Sequence, residues 1–278
     1  SHSPVRLPPA KSMSMTRAPA RYVTATVRWN APLGADCWLL DLVVPPELAV
    51  ETVRPGQFVM VKGPWGLHPL LPRPFSVLET SPGRVELLNK VVGRATRQLA
   101  ALRPGEVVRL LGPLGRPFPA PAADRRDLLV GGGSGIPPLY LHARAAVRAG
   151  LGDTVEVIYG GRSAADLVLL SRLRGLEVPV VACTDDGSAG EPGLVTDVLS
   201  PRLSGAPAER VLACGPLPML RAVAALCRER GVKAYLSLET EMACGLGICR
   251  GCSVPRPGGG YACACVDGPV FASDEVLP

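Results

Sequence analysis

The residues Leu128-Leu-Val-Gly-Gly-Gly-Ser-Gly-Ile-Pro-Pro138 decide one half of the fold. The first three predict a buried strand, the glycines predict a tight loop, and residues 137–149 predict a helix that ends at Gly150. A glycine loop between a strand and a helix lets backbone N–H groups approach a phosphate. The pattern departs from a strict G-x-G-x-x-G, so the order of the elements carries the argument.

The chain downstream repeats the same order of strand and helix. Further strands are predicted at residues 154–159, 178–183 and 211–214, and helical spacing of apolar residues from Leu217 to Cys227 predicts another helix. Strands that alternate with helices predict a parallel sheet covered on both faces. We therefore expect an α/β nucleotide-binding domain over residues 120–233.

Upstream of this region, the pattern changes to short strands separated by turns. Pro-Gly pairs mark most of these turns, and a short helix is expected at residues 93–101. The expected strands lie at residues 22–29, 38–44, 57–62, 74–78, 85–92 and 106–111. This spacing predicts an antiparallel β-barrel over residues 21–119.

The C-terminal segment carries a closely spaced group of cysteines. The spacing Cys244-x4-Cys249-x2-Cys252, followed by Cys265 after twelve more residues, matches the plant-type [2Fe–2S] ligand pattern. Zinc is the alternative, but zinc sites favour paired C-x2-C units and only one such unit is present. Cys263 and Cys265 would point to opposite sides of a strand, so one of them faces the cluster and the spacing does not choose which.

Residues 234–278 are therefore expected to form a small [2Fe–2S] subdomain. A segment this short and this rich in glycine cannot be stabilised by core burial alone. A bound cluster would supply the missing stability.

Two motifs in the barrel region predict a flavin dinucleotide site. In Arg73-Pro74-Phe75-Ser76, an arginine and a hydroxyl three residues apart can bind a diphosphate or a flavin edge, although an exposed turn is an equal alternative. In residues 88–96, a helix that begins after Gly93 would offer free N–H groups to an anion, and the Thr96 hydroxyl would add to them. Together, the motifs favour FAD.

Two motifs in the α/β region predict a nicotinamide nucleotide site. The glycine loop supplies the candidates Gly131, Gly132, Gly133, Ser134 and Gly135. Cys214-Gly215-Pro216 ends a later strand, at the edge of a parallel sheet where ligands bind, although a buried small residue is the alternative for Cys214. Arg162 either receives a 2′-phosphate or lies on the surface, and NADH is the expected nucleotide.

Composition excludes several classes of function. The net charge of +6 is dispersed and aromatic residues make up 4%, which argues against a nucleic-acid platform. No apolar run reaches the ~18 residues of a membrane-spanning helix. Residues 1–20 lack an apolar core and are expected to form a disordered tail rather than a secretory signal. Clustered cysteines in a chain of this size favour a reducing, cytoplasmic location.

The chain resembles the electron-transfer subunits of class B, NAD-linked dihydroorotate dehydrogenases over residues 22–276. The most specific stretches are residues 237–249 and 265–271. The resemblance implies a ferredoxin-reductase-like pair of domains, with FAD, one [2Fe–2S] cluster and NAD(H). It also implies a heterotetramer with a catalytic subunit that holds FMN and oxidises dihydroorotate. Electrons would pass from that FMN through the cluster and FAD to NAD⁺ in pyrimidine biosynthesis.

The resemblance also implies individual binding residues. It assigns Cys265, rather than Cys263, as the fourth ligand beside Cys244, Cys249 and Cys252. It places the FAD contacts on Arg73, Pro74, Phe75, Ser76, Leu88, Asn89, Lys90, Gly93, Ala95 and Thr96. The chain departs from the family where Asn89-Lys90 stands for a common Tyr-Arg pair and where Ala95 stands for a glycine.

Other functions stay open at this point. The same cofactors serve small subunits of NAD(P)H:ferredoxin reductases, glutamate-synthase-like complexes and sulfhydrogenases, some of which have Asp at the position of Cys244. A non-catalytic iron–sulfur carrier would lack flavin. A zinc-bound structural protein would contain zinc and no iron.

Overall fold

Six antiparallel strands close into a barrel in the computed structural model, which describes residues 19–204, 206 and 208–276. The strand order is β1-β2-β5-β4-β3-β6. The bounds are β1 Arg21–Gly34, β2 Cys37–Val43, β3 Phe58–Lys62, β4 Arg73–Ser81, β5 Arg84–Lys90 and β6 Val107–Leu114. The expected tail falls largely on residues 1–18 and lies outside the described residues.

Alternation along these strands fills the barrel with apolar side chains. Leu40 and Leu42 of β2 and Val85 and Leu87 of β5 are buried in one cluster, because residues two apart share a face. Helix α1, Arg94–Ala100, follows β5 and adds Leu99 to the same core. The predicted barrel and the short helix beside it are confirmed.

A seven-stranded sheet forms the second half, in the order β10-β9-β8-β7-β11-β12-β15. Its strands run parallel from β10 to β12. The bounds are β7 Arg126–Gly132, β8 Val155–Gly161, β9 Val180–Thr184, β10 Glu191–Pro192, β11 Glu209–Cys214 and β12 Lys233–Ser237. The predicted parallel sheet is confirmed.

Helices cover both faces of the sheet. Along β7, Leu129 belongs to a core shared with α2, whereas Leu128 and Val130 belong to the core on the opposite face. A strand buried on both faces has no polar side, which explains the continuous apolar run in its sequence. The helices are α2 Pro137–Arg148, α3 Leu170–Arg174, α4 Val195–Leu199 and α5 Leu217–Glu229.

The C-terminal segment returns to the sheet instead of forming a separate layer. Its elements are the hairpin β13 Ser253–Pro255 and β14 Tyr261–Cys263, then β15 Val270–Ala272 and α6 Ser273–Val276. Strand β15 pairs antiparallel with β12, so the cysteine-rich segment is attached to the sheet edge by backbone hydrogen bonds. Strand β12 also begins at the expected domain boundary between residues 233 and 234 and belongs wholly to the sheet.

The same segment packs against the end of the barrel. Phe58, Met60 and Leu114 of the barrel share a core with Cys252 and Cys265. The cysteine loop is thereby held between the barrel and the sheet. Within the described residues, no helix is long and apolar enough to span a bilayer.

Candidate functional site

The cysteine loop curls so that backbone N–H groups face sulfur atoms. Gly247 N lies 3.1 Å from Cys265 Sγ, and Leu246 N lies 3.4 Å from Cys244 Sγ. Cys252 Sγ and Cys265 Sγ are 3.3 Å apart. Gly245 adopts a φ of +71°, and a Cβ there would lie 2.8 Å from Met60 Cγ, so only glycine fits this close approach to the barrel.

These N–H groups favour the thiolate form of one cysteine. Partial burial raises the pKa of Cys244, but hydrogen bonds from the backbone of Cys249, Leu246 and Ile248 outweigh it and lower the pKa to about 6. Burial and the neighbouring Cys252 instead raise the pKa of Cys265 to about 12. Thiolates are the form that binds iron, and N–H donors to sulfur stabilise them.

The structure places Cys263 and Cys265, between which the spacing did not choose a fourth ligand, in different surroundings. Cys265 is buried beside Cys252, and the backbone N–H of Gly247 points to its sulfur. Cys263 is half-buried in the hairpin opposite Ser253, and its N–H donates to Asp267 Oδ2 at 2.7 Å. Within the described residues, no three His, Cys, Asp or Glu side chains are arranged to hold a metal ion.

A cavity of about 660 Å³ opens at the carboxyl ends of the parallel strands. The glycine loop lies on one side, and a Cβ at Gly135 would lie 2.7 Å from the carbonyl oxygen of Cys214, which explains why the loop approaches β11 closely. The expected residues that line the cavity are Gly132, Gly133, Ser134, Gly135, Gly215 and Pro216. Gly131 and Cys214 are buried beneath them.

Cys214 is therefore part of the floor under the cavity rather than of its surface. Burial raises the pKa of its thiol, which a hydrogen bond with Ser237 only partly offsets, so Cys214 is a neutral thiol. Arg162 lines the same cavity and pairs with Asp166 through a 3.3 Å contact from Nε to Oδ2. The lining charges of the cavity are thus mixed.

The residues of the first flavin motif divide along strand β4. Arg73 and Pro74 line a second cavity of about 650 Å³ between the barrel and the cysteine segment. Phe75 is buried in the barrel core, and Ser76 pairs with Phe58 across the sheet. Arg73 Nη1 donates to the carbonyls of Leu71 and Pro72, which fixes the guanidinium at the cavity wall.

Several side chains of the second flavin motif point into the protein, whereas the sequence predicted that they would face a ligand. Thr96 Oγ1 accepts from the N–H groups of Val92 and Gly93 at 2.9 and 3.0 Å and donates to the carbonyl of Gly93. Asn89 Nδ2 donates to the carbonyl of Thr96 at 2.9 Å. The hydroxyl that we expected to bind an anion therefore closes the first turn of α1, and Leu88, Asn89 and Ala95 are buried.

One side chain, Glu239, lies between the two cavities, and the sequence motifs assigned it no role. Lys90, at the end of β5, lines the first cavity, and Glu239 lines both. Desolvation raises the pKa of Glu239, and the charge of Lys90 partly opposes the shift. The sequence feature that could have identified Glu239 is its position: it is an acidic residue two positions after β12, at the same sheet edge as Cys214.

Two family profiles match the chain. The profile described as "Iron-sulfur cluster binding domain of dihydroorotate dehydrogenase B" covers residues 239–277. The profile described as "Oxidoreductase NAD-binding domain" covers residues 129–225. The two domain types follow each other in the order that the sequence motifs predict.

Whole-chain relatives are similar to this protein over most of their length. The "Dihydroorotate dehydrogenase B (NAD(+)), electron transfer subunit" of Geobacillus kaustophilus is 41% identical over 243 residues, covering 85% of this chain and 92% of the relative. The protein of the same name from Bacillus caldolyticus is 40% identical with the same coverage. The chain belongs to this family. The resemblance predicted from the sequence motifs is confirmed.

Solved structures agree with this assignment. The NADH-dependent reduced ferredoxin-NADP oxidoreductase, studied for flavin-based electron bifurcation, has a TM-score of 0.79 at 30% identity and covers 91% of this chain and 89% of its own. The ferredoxin reductase of carbazole 1,9a-dioxygenase has a TM-score of 0.66 at 26% identity and covers 77% of this chain and 67% of its own. The fold class and the expected cofactors, FAD, [2Fe–2S] and NAD(H), are confirmed.

The residues present fit these groups. Sulfur atoms with N–H donors directed at them suit an iron–sulfur cluster. A glycine loop at the carboxyl edge of a parallel sheet suits a dinucleotide. The arginine at the wall of the second cavity suits a flavin dinucleotide.

Proposed function

We propose that this chain passes electrons between the FMN of a dihydroorotate dehydrogenase catalytic subunit and NAD⁺. The route runs through a [2Fe–2S] cluster and FAD, and it operates in the cytoplasm in pyrimidine biosynthesis. A flavin exchanges electrons singly or in pairs, so it is the group that joins a one-electron cluster to a two-electron nicotinamide. The conclusion rests on one observation: the cysteine loop, the barrel cavity and the nucleotide cavity are contiguous, and Glu239 lines both cavities.

The ligands of the proposed cluster are Cys244, Cys249, Cys252 and Cys265. Gly247 and Leu246 direct their N–H groups at two of these sulfurs, which stabilises negative charge there. The apolar contact of the loop with Met60 and Leu114 keeps water from one side. The protein thereby fixes the distance between the cluster and the barrel.

The proposed flavin and nucleotide sites use the walls of the two cavities. Arg73, Pro74 and Lys90 line the cavities and would contact FAD, while Ser76 and the remaining residues of its motifs shape the strand and the loop behind it. The backbone of residues 132–135 would bind the nucleotide phosphates, and Gly215 and Pro216 would let the nicotinamide ring approach the flavin.

The partner would dock over the exposed side of the cysteine loop. Ile248 is 79% exposed and Leu246 is 47% exposed, and Cys249 between the loop ends is also exposed. Exposed apolar side chains beside an exposed ligand favour a protein surface as the neighbour. We propose that the FMN subunit covers this face, in a heterotetramer as in the family resemblance.

The decisive experiment removes a ligand and leaves the neighbouring thiol in place. We expect Cys249→Ser, prepared anaerobically, to lose iron and acid-labile sulfide and to stop NADH-driven reduction of the partner's FMN. Reduction of ferricyanide by NADH, which needs only FAD, should be retained. Cys263→Ser is the matched control and should keep both activities.

Three results would contradict the proposal. The first is iron-free wild-type protein after anaerobic preparation, and the second is partner reduction that survives in Cys249→Ser. The third concerns the identity of the partner. Affinity purification of the native chain should recover an FMN-binding dehydrogenase, and recovery of a hydrogenase or glutamate-synthase chain in its place would overturn the orotate assignment.

A further inference from the structure

Electron transfer through this chain requires a proton that the cluster does not carry. Formation of NADH follows NAD⁺ + 2 electrons + H⁺ → NADH, and an iron–sulfur cluster delivers the electrons one at a time without protons. One proton per NADH must therefore enter from water, through the protein, to the junction of flavin and nicotinamide. This requirement rests on the proposed function.

The cavities contain few groups that can carry that proton. In the first cavity, the charged or titratable side chains are Lys90, Arg162, Asp166, Cys183, Asp185 and Glu239, and Cys214 lies beneath. In the second cavity, they are Arg73, Glu239 and Glu241.

Most of these groups are unsuitable for physical reasons. Arginine stays protonated at all relevant pH values. Cys183 and Cys214 are buried, and burial raises the pKa of both thiols, so both are neutral. Asp166 accepts from the backbone N–H and Nε of Arg162, and those contacts lower its pKa even though partial burial opposes them. Glu239 differs from the rest because it lines both cavities.

We propose that Glu239 carries a proton between water in the second cavity and the flavin–nicotinamide junction. During NAD⁺ reduction its carboxylate takes a proton from water, and the O–H bond formed there breaks again as the proton is delivered to the junction. The two electrons come from the cluster, so charge and atoms balance. In the opposite direction, the carboxylate receives one proton for each NADH oxidised.

Three further observations support this role. Glu239 follows β12 by two residues, at the sheet edge where the adjacent β11 ends in Cys214. Its side chain is exposed and can exchange protons with water, yet the surrounding protein raises its pKa, and a carboxyl group with a pKa nearer neutrality transfers protons more effectively. The neighbouring Thr240 lines the second cavity, and its buried Oγ1 has no hydrogen-bond partner among the described residues, so it is free to extend the path.

The test compares Glu239→Gln with Glu241→Gln in the complete complex with the partner subunit. Glutamine keeps the shape and removes the titratable group. We expect Glu239→Gln to slow NADH formation from the reduced partner by about 10²-fold or more, the range of a lost acid–base group, and to flatten its pH profile. The Glu241→Gln variant should behave as wild type, and Glu239→Asp should recover part of the rate.

Two further measurements separate proton transfer from placement of the ring. Hydride transfer from NADH to the oxidised flavin brings its own hydrogen, so its single-turnover rate should stay within about two-fold in Glu239→Gln. The infrared difference spectrum between oxidised and reduced protein should show a carboxyl C=O band in wild type that Glu239→Gln lacks.

The outcomes are distinct. An equal loss in both half-reactions would assign Glu239 to nicotinamide placement and overturn the proton role, as would an unchanged pH profile and infrared spectrum. Those results would leave the proposed function intact, because wild-type iron content and partner reduction report on it separately.

Discussion

Two of the contacts between the barrel and the rest of the molecule have opposite chemistry. Toward α2 and α3, Glu79 of β4 accepts from Arg144 at 2.6 Å, from Tyr140 at 3.3 Å and from Arg172. Arg172 also stacks over the Tyr140 ring at 4.9 Å. We call this group the charged joint. Toward the cysteine loop, Met60 and Leu114 pack against Gly245, and we call this contact the apolar joint.

The difference in chemistry matches the cofactors that each joint positions. Directional hydrogen bonds and ion pairs fix orientation, which matters where a nicotinamide ring must face a flavin. Apolar packing fixes close approach without orienting polar atoms, and single electrons need only proximity. The charged joint should therefore respond to loss of charge, and the apolar joint to added volume.

The largest effect is expected from adding volume to the apolar joint. Gly245→Val would place a Cβ 2.8 Å from Met60 Cγ and 2.9 Å from Leu114 Cδ1, at a φ of +71° that disfavours side chains. Overpacking and left-handed backbone together cost about 2–5 kcal/mol. We expect the loop to separate from the barrel and the iron content to fall severely.

Visible absorption and iron analysis of anaerobic protein would measure this loss. Gly258→Val is the matched control, because nothing lies within 4 Å of a Cβ there. A fully loaded Gly245→Val protein would show that close contact with the barrel is not needed to hold the cluster.

A smaller effect is expected from removing the central charge of the charged joint. Glu79→Gln leaves Arg144 facing a neutral group, whereas Arg172 keeps its ion pair with Glu86 at 2.6 Å, and both arginines are about a third exposed or less. Water therefore compensates part of the loss, and we expect about 2 kcal/mol of destabilisation, below the range for fully buried pairs. Hydride transfer from NADH to FAD should slow while iron content stays normal.

Urea unfolding and stopped-flow flavin reduction would test this, with the exposed Glu47→Gln as the control. Unchanged hydride transfer in a destabilised Glu79→Gln protein would show that the joint stabilises the fold without orienting the nucleotide.

A pH-dependent effect is expected from Asp127, which lies where the linker from the barrel reaches β7. Asp127 contacts His142 Nε2 at 2.9 Å and Arg210 Nε at 2.7 Å, and Arg210 also donates to the carbonyl of Ala120. Burial opposes the ionised form, but these partners outweigh it and lower the pKa of Asp127 below 3.8.

A lowered folded-state pKa means stability that is present above the unfolded value and lost as pH falls through the folded one. The free energy of unfolding should therefore drop below about pH 4 in wild type, and less steeply in Asp127→Asn, which should also be less stable at pH 7. Asp124→Asn, with an exposed carboxylate, is the control for the urea titrations. Parallel pH curves for wild type and Asp127→Asn would contradict this assignment.

Local patterns predicted most of the fold. The alternation in β2 and β5, the glycine loop and the cysteine spacing each depend on neighbours close in sequence, so they are legible without coordinates. The pairing of β15 with β12 was not predicted, because a three-residue strand has no periodicity and its partner lies more than thirty residues away.

The site was predicted in part for the same reason. The cavity-lining glycines follow from their place after β7, whereas the significance of Glu239 depends on where two cavities meet. The Thr96 hydroxyl was expected to face a ligand. Instead, it accepts hydrogen bonds from the backbone N–H groups of Val92 and Gly93, which would otherwise lack a partner at the start of α1. The sequence shows that a hydroxyl is present at this position, but not whether it will bind a ligand or the neighbouring backbone.

The antiparallel pairing of β15 with β12 limits how this molecule can flex. Tyr235, Leu236 and Ser237 pair with Ala272, Phe271 and Val270, so the cysteine segment cannot swing away from the nucleotide sheet without breaking a ladder of backbone hydrogen bonds. Arg116, just after the last barrel strand, also donates its N–H to the carbonyl of Gly268, so the same segment is tied to the barrel side of the molecule. One short stretch of chain thereby braces the barrel against the nucleotide sheet, and a movement that parted the two halves would have to break one of these backbone attachments.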